Sequence, residues 1–361
     1  MTLLKIRGGD LDLVEYEFKS FKPGECIYTA DISITKSPYK MEGSLHIRTP
    51  ARIHLSVLDM NRFKPETPGG GGIGFAIQVY TDVIISCTDH DIIIDSPRKL
   101  IIEHLVHAFK RITGYTGGFK IQTNQSGIIE HVGLGSTSTM ATAVVMAMNS
   151  ITSNPLTQDD IRRLIGYNYV EETEDKERII FGFETGVGSS ASIYGGFTII
   201  GDDLTRIYTH SFAESKNVYI VIPRVHEDEI NAGVNEFNLL MNRARDLDAR
   251  DREIKAYHII MDVIPALDRG DLKKIGDVMW ELEFRGSKRA EIQHHSVVLY
   301  KYMDYIRHAG IEFVAMSSIG PSICIVTDKT KSQVQSILDK IGLEIIIETK
   351  IDNVGTQITK E

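Results

Sequence analysis

The chain has 361 residues, 42% of them hydrophobic and 25% charged, with a formal net charge of −9. That apolar content excludes a disordered chain, and the 30 glycines follow no collagen-like period of three. The acidic balance argues against a nucleic-acid partner, which needs a basic face, but allows a small anion held by an arginine and a helix N-terminus.

At about 150 residues per domain the length suggests two lobes. No stretch nears the roughly 18 apolar residues of a membrane span. Asp10, Asp12, Glu15 and Glu17 argue against a secretory leader. Cys26, Cys87 and Cys324 are sparse, far apart and without a CxxC, which fits a reducing compartment with neither disulfides nor a zinc knuckle. The expectation is a cytoplasmic protein with no membrane partner.

In chain order, residues 1–44 alternate polar and apolar stretches, as at Ile27–Ile34, and predict a strand-rich N-terminal extension. Leu45–Ile47, running into Arg52–Leu58, and Gly74–Cys87 read as longer strands, separated by a turn at 65–72. Apolar spacing predicts a helix over Pro97–Thr113, stopped by Gly114, then a strand at Phe119–Thr123. Met140–Met148 reads as a buried helix, and Asp159–Tyr169 as a helix capped by Thr157. Gly182–Ser190 is a glycine/serine loop before the strand Phe197–Ile200, and Val218–Ile222 is a strand ended by Pro223. Asp228–Ala309 reads as helical, with breaks near Asp246–Asp251 and at Gly270. Strands at Phe313–Met316, Ser322–Thr327 and Leu343–Ile347 enclose a helix at Lys331–Ile341. The class is α+β, with lobes at 45–210 and 211–361.

Four segments carry chemistry. In the first, His131–Ala147, Gly133 and Gly135 precede a small-residue helix. Glycines permit close backbone approach, the helix start binds an anion, and Ser136, Thr137, Ser138 and Thr139 add hydroxyl donors. It is neither a Walker loop nor a dinucleotide fingerprint, since the residues and spacing differ. In the second, Arg52 and His54 lie two apart and share a strand face, and Arg52 can fork onto phosphate or carboxylate oxygens. Asp59 and Asn61 follow in a turn, suited to orient a ribose or a metal, and Gly72 and Gly74 come next. The third segment, Phe183–Phe197, holds Glu184 and Ser189, and the fourth, Ala315–Ile323, holds Ser318 and Gly320.

These segments, in this order, resemble the GHMP superfamily of small-molecule kinases: Pro50–Asn61, Gly133–Thr139 and Ser317–Ser322 match its three motifs. The resemblance implies two lobes, ribosomal protein S5 domain 2-like and then ferredoxin-like, with a ligand between them. Within the superfamily, TPARIHLSVLDMN at 49–61, GGIGFAI at 71–77, HVGLGS at 131–136 and MSSIGPS at 316–322 look most like the archaeal β-ribofuranosylaminobenzene 5′-phosphate synthases. Those enzymes join 4-aminobenzoate to phosphoribosyl pyrophosphate, with loss of CO2 and pyrophosphate, in methanopterin biosynthesis. Aligned on Tyr194-Gly195-Gly196, Gly188 stands where the kinases place an Asp that serves as base. A synthase whose nucleophile is a ring carbon needs no base there, whereas Glu184 keeps an ATP-dependent kinase as the alternative.

The resemblance implies a phosphorylated small molecule and an aromatic acid as partners, with Mg²⁺ as cofactor and its ligands open; a homodimer is compatible. Asp59 is the first candidate to stabilise an oxocarbenium-like ribose. Arg52 or His54 would meet the aromatic carboxylate. Gly133–Thr139 would hold the departing pyrophosphate. Other conspicuous residues read as structural. Glu103, His104 and His107 lack a third metal ligand. Glu291, His294 and His295 read as an exposed polar face, Arg243–Glu253 as a solvated helix junction, and Met140, Met146 and Met148 as core.

Overall fold

The computed structural model describes residues 3–7, 13–17, 19–29, 31–62, 66–129, 132–224 and 243–360. His131 and residues 228–242 of the expected helical stretch lie outside them.

An N-terminal hairpin pairs β1 (Leu3–Arg7) with β2 (Leu13–Glu17). Two long strands then dominate the first lobe, β3 (Ser44–Val57) and β4 (Gly72–Thr88). Around them a seven-stranded sheet assembles from β5 (Ile92–Asp95), β6 (Gly118–Asn124), β9 (Phe197–Ile200), β10 (Arg206–His210) and β15 (Gln357–Lys360). The small ladder β7 (Val170–Glu172) and β8 (Ile179–Phe181) stands apart. Four helices belong to this lobe: α1 (Lys99–Thr113), α2 (Ser136–Ile151), α3 (Gln158–Tyr167) and α4 (Val187–Tyr194). Thr157 caps α3 in a reciprocal box with Asp160. Every residue of α2 is buried, which explains its run of Ala, Ser, Thr and Met.

The second lobe has a four-stranded sheet, in the order β12 (Phe313–Met316), β13 (Ile323–Thr327), β11 (Asn217–Val221) and β14 (Ile347–Lys350). Val218, Ile220, Phe313 and Ala315 pack on one face against the π-turn Ile259–Val263, α6 (Ile264–Arg269) and α7 (Leu272–Leu282), which follow α5 (Arg245–His258). Tyr219, Val221, Val314 and Met316 pack on the other, against α9 (Val298–His308) and α10 (Lys331–Leu338). Helix α8 (Gly286–His295) runs beside α5. Phe75 and Phe197 from the first sheet meet Phe212 and Phe313, with centroids 5.0–6.3 Å apart, so one apolar core spans both lobes.

The fold is α+β with two lobes, as expected, but several local readings change. The described residues of 27–34 form no strand. This segment lies over the first lobe through Tyr28 N–H to Asn168 and Thr35 N–H to Pro155 O, side-chain and loop partners rather than a ladder. Asp246–Asp251 does not break a helix but lies within α5. Residues 343–346 are irregular, and the strand begins at Ile347. Residues 357–360 return to pair with β3, so the last strand joins the first sheet rather than the 211–361 lobe.

Candidate active site

Strand β3 changes its allegiance part-way along. Leu45 and Ile47 pack with α1 and α2, whereas Ala51, Ile53 and Leu55 pack in the core shared with the second lobe. The change falls where the β3–β4 register shifts, between Pro50 and Ala51, and a second shift follows between His54 and Ser56. The segment between the two shifts carries Arg52 and His54 into a cleft with Glu184, Thr185, Gly188, Glu291 and Ser318.

Hydrogen bonds tie three motif segments together there. Arg52 Nη1 donates to Gly133 O at 2.8 Å, and Ser317 Oγ donates to the same carbonyl at 2.7 Å. Ser317 Oγ accepts from His54 N–H at 3.2 Å, and Ser318 N–H donates to His54 O at 2.7 Å. His54 Nε2 lies 3.3 Å from Thr185 Oγ1. The carbonyl of Gly133 is thus held back by the protein. The first-turn N–H groups of α2 have no partner within the helix and leave the helix start able to receive an anion. Gly135 caps α2 at φ +74, and a Cβ there would lie 2.7 Å from Arg52 Nε. Gly188 opens α4 against the same start: its Cβ would lie 2.6 Å from Ser138 Oγ and 3.8 Å from Arg52 Nε.

Burial sets the charges. His54 is pushed well below the usual imidazole range by burial, then by Arg52 and Lys288, so it is neutral. Glu184 is raised by burial, offset by the Gly186 N–H and Arg52. Glu171 is raised by burial, offset by Arg98 and by hydrogen bonds from Tyr169 and Thr137.

The remaining expected residues take varied places. Asp59 and Asn61 do not line the cleft. Asp59 Oδ1 accepts from the Asn61 backbone and side-chain amides, its Oδ2 faces Arg252 at 3.4 Å, and Asn61 Nδ2 donates to Arg245 O. Ser136 uses its carbonyl to accept from Gln125, and Thr137 Oγ1 meets Arg98 and Glu171. Ser138 Oγ donates to Gly135 O. Thr139 and Ser189 are buried within their helices. Gly72 and Gly74 let Val187 of α4 come against β4, with Gly72 beside His54. Gly320 precedes the cis peptide to Pro321.

Two surface readings are overturned. Glu291 and His295 are buried, not on an exposed face, because α8 packs its polar side inward. The 243–253 run is not wholly solvated: Asp248 is fully buried and meets Lys255 at 2.5 Å, while its Oδ1 and Oδ2 also accept from Ser287 and Met60 N–H. His104 is a buried histidine that burial pushes down to about 4, and it accepts from Gly24 N–H. Among the described residues no His/Cys/Asp/Glu cluster is built for a metal ion.

Lys288, Glu291, Glu171, Arg98 and Ser317 were missed as site residues. The one signal in the sequence was the i, i+3 pairing of Lys288 and Glu291, now an ion pair at 2.9 Å with both groups buried. Behind them Glu283 accepts from Met316 N–H and is pushed up to about 8 by burial, offset in part by Lys288. An unfolded glutamate titrates near 4.5. The folded chain therefore holds this proton more tightly. The stability so conferred is complete below pH 4.5 and lost as pH rises through 8. Glu283→Gln keeps the acceptor without the charge. Urea midpoints between pH 5 and 9 should fall less steeply in E283Q, the two profiles diverging by on the order of 3 kcal/mol at the alkaline end. Parallel profiles would refute the assignment.

Residues 99–176 match the GHMP kinases N terminal domain. A homoserine kinase from Cytophaga hutchinsonii superposes with a TM-score of 0.63 at 15% identity, covering 89% of this chain and 99% of that one. A mevalonate diphosphate decarboxylase from Staphylococcus aureus gives 0.61 at 19% identity over 89% and 99%. The molecule thus has a GHMP-type fold. Its sequence likeness is to Beta-ribofuranosylphenol 5'-phosphate synthases: 25% identity to that of Methanothermobacter thermautotrophicus over 88% of this chain and 99% of the relative, and 25% to that of Archaeoglobus fulgidus over 87% and 99%.

Proposed function

We propose that the protein is a transferase that condenses an aromatic acid with phosphoribosyl pyrophosphate, releasing CO2 and pyrophosphate, in methanopterin biosynthesis. The observation that carries this reading is Gly188. The place of a kinase base is filled by a residue with no side chain, pressed against the anion-binding helix start. Likeness along nearly the whole chain to synthases named for a ribofuranosylphenol product supports it. That name favours 4-hydroxybenzoate over 4-aminobenzoate as the acid.

In this reading the α2 amides and Arg52 receive the pyrophosphate as it leaves the anomeric carbon. Neutral His54 orients without adding charge. The carboxylates of Glu184 and Glu171 line the cleft, whereas Asp59 is engaged elsewhere, so stabilisation of the ribosyl cation falls to the former pair. Mg²⁺ would arrive on the pyrophosphate, and Ser138 and Glu184 would be the chain's oxygen donors for it. This suits an ion that binds mainly through substrate phosphates. Bound there, it would neutralise charge on the leaving group. The free cysteines and the want of any membrane-length apolar helix among the described residues support a cytoplasmic enzyme.

The test is release of CO2 and pyrophosphate with phosphoribosyl pyrophosphate, Mg²⁺ and 4-hydroxybenzoate or 4-aminobenzoate, beside an ATP control. Equimolar release of both products is expected. ADP formation from ATP with candidate alcohols, and no pyrophosphate, would establish a kinase with Glu184 as base.

A further inference from the structure

The cleft differs from end to end. One part of its lining holds Arg52 and Gly188, beside the α2 start. The other is walled by Val57, Met60, Phe183 and Ile319, part of a small apolar cluster that includes Ala290 of α8. The residue after Ala290 is Glu291, 3% exposed and lining the cleft. Lys288 fixes it. The Lys288 ammonium donates to Met316 O at 3.3 Å and Ser318 O at 2.5 Å, and meets Glu291 Oε2 at 2.9 Å. The first two are hydrogen bonds and the third is an ion-pair contact. A carboxylate offers about four acceptor positions, of which Lys288 takes one. A buried carboxylate of fixed position beside an apolar slot is a receptor for a flat ring that carries a hydrogen-bond donor.

We propose that Glu291 accepts the hydrogen bond, and in the transition state the proton, of the ring hydroxyl para to the reacting carbon. This rests on the transferase reading. The ring carbon bearing the carboxylate attacks the anomeric carbon, and the C–O bond to pyrophosphate breaks, taking its electron pair with the leaving group. The ring draws electrons from its hydroxyl oxygen, and the proton passes to Glu291, leaving a dienone. Loss of CO2 returns the electron pair of the broken C–C bond to the ring, giving a phenoxide that recovers its proton from Glu291. A phenol is too weak an acid to yield its proton to a carboxylate at rest. It becomes a strong acid as the ring gives up charge, so the transfer is coupled to bond formation. Lys288 is a positioning residue.

Calorimetry on the full chain would compare 4-hydroxybenzoate with 4-methoxybenzoate, whose oxygen has no proton to donate. The wild type should bind the hydroxy acid at least about tenfold more tightly. In Glu291→Gln, Lys288 holds the amide oxygen and turns the NH2 toward the cleft, where it cannot accept. Discrimination should then fall to within about threefold and turnover by about 10²-fold. Glu291→Asp, which keeps the charge, should retain the preference for the hydroxy acid, and it replaces E291Q as the readout if that variant fails a thermal unfolding check. Equal binding of the two acids by wild type, or undiminished discrimination in E291Q, overturns the proposal. Discrimination without release of CO2 and pyrophosphate would leave the Glu291 subsite standing and sink the transferase reading instead.

Discussion

Gly188→Asp should lower turnover in the proposed synthase reaction by about 10³-fold. A Cβ at this position would lie 2.6 Å from Ser138 Oγ and 2.8 Å from Ser138 Cβ, closer than side chains approach. Ser138 sits in the first turn of α2, so the displacement falls on the amides proposed to receive pyrophosphate. The new carboxylate would also compete for Arg52, whose Nε is 3.8 Å from that Cβ position. Misplacement and charge competition act on the same step. Gly188→Ala, which introduces only the first, should fall between wild type and G188D. Initial rates of pyrophosphate release measure both variants, and a G188D rate within threefold of wild type would mean that the α2 start does not receive the leaving group.

Asp248→Ala should destabilise the fold by about 3–5 kcal/mol, a large part of the total stability of a typical domain. Asp248 and Lys255 are both fully buried. Lys255 also donates to Val57 O, and Asp248 accepts from Met60 N–H and Ser287 N–H. The pair thereby joins α5, the start of α8 and the end of β3. Removal of the carboxylate strands an ammonium in the core, and its desolvation is the main cost. A double variant, Asp248→Leu with Lys255→Met, should recover most of the loss, because an apolar pair needs no compensating charge. Urea midpoints distinguish the cases. Equal losses in the single and double variants would show that the backbone contacts, not the ion pair, carry the effect.

What could be read in advance depended on whether the signal was local. The core strands Phe197–Ile200 and Phe313–Met316, the capped helix after Thr157 and the Gly114 stop were legible because propensity, capping and burial agree over a few residues. The joining of Arg52, Gly133 and Ser317 was legible only as an ordered set of motifs, since the hydrogen bonds cross 81 and 184 residues. Glu291, Lys288 and Asp248 were hidden because charged residues are normally read as solvated. Their burial is paid for by partners far along the chain, such as Met60 for Asp248. Strand β15 was hidden for another reason. All four of its residues are exposed, so no apolar alternation announces it, and only the open edge of β3 gives it a place.

That edge has a bearing on biosynthesis. Thr359 meets His46 across 313 residues of chain. A ribosome delivers one strand long before the other, and in the interval the border of β3 at Leu45–Arg48 lacks its strand partner, with its amide and carbonyl groups free to template a neighbouring chain. During translation this lobe therefore carries that uncovered edge for a time set by elongation. Its yield should depend on growth temperature and on chaperone supply more than the finished protein's stability would suggest.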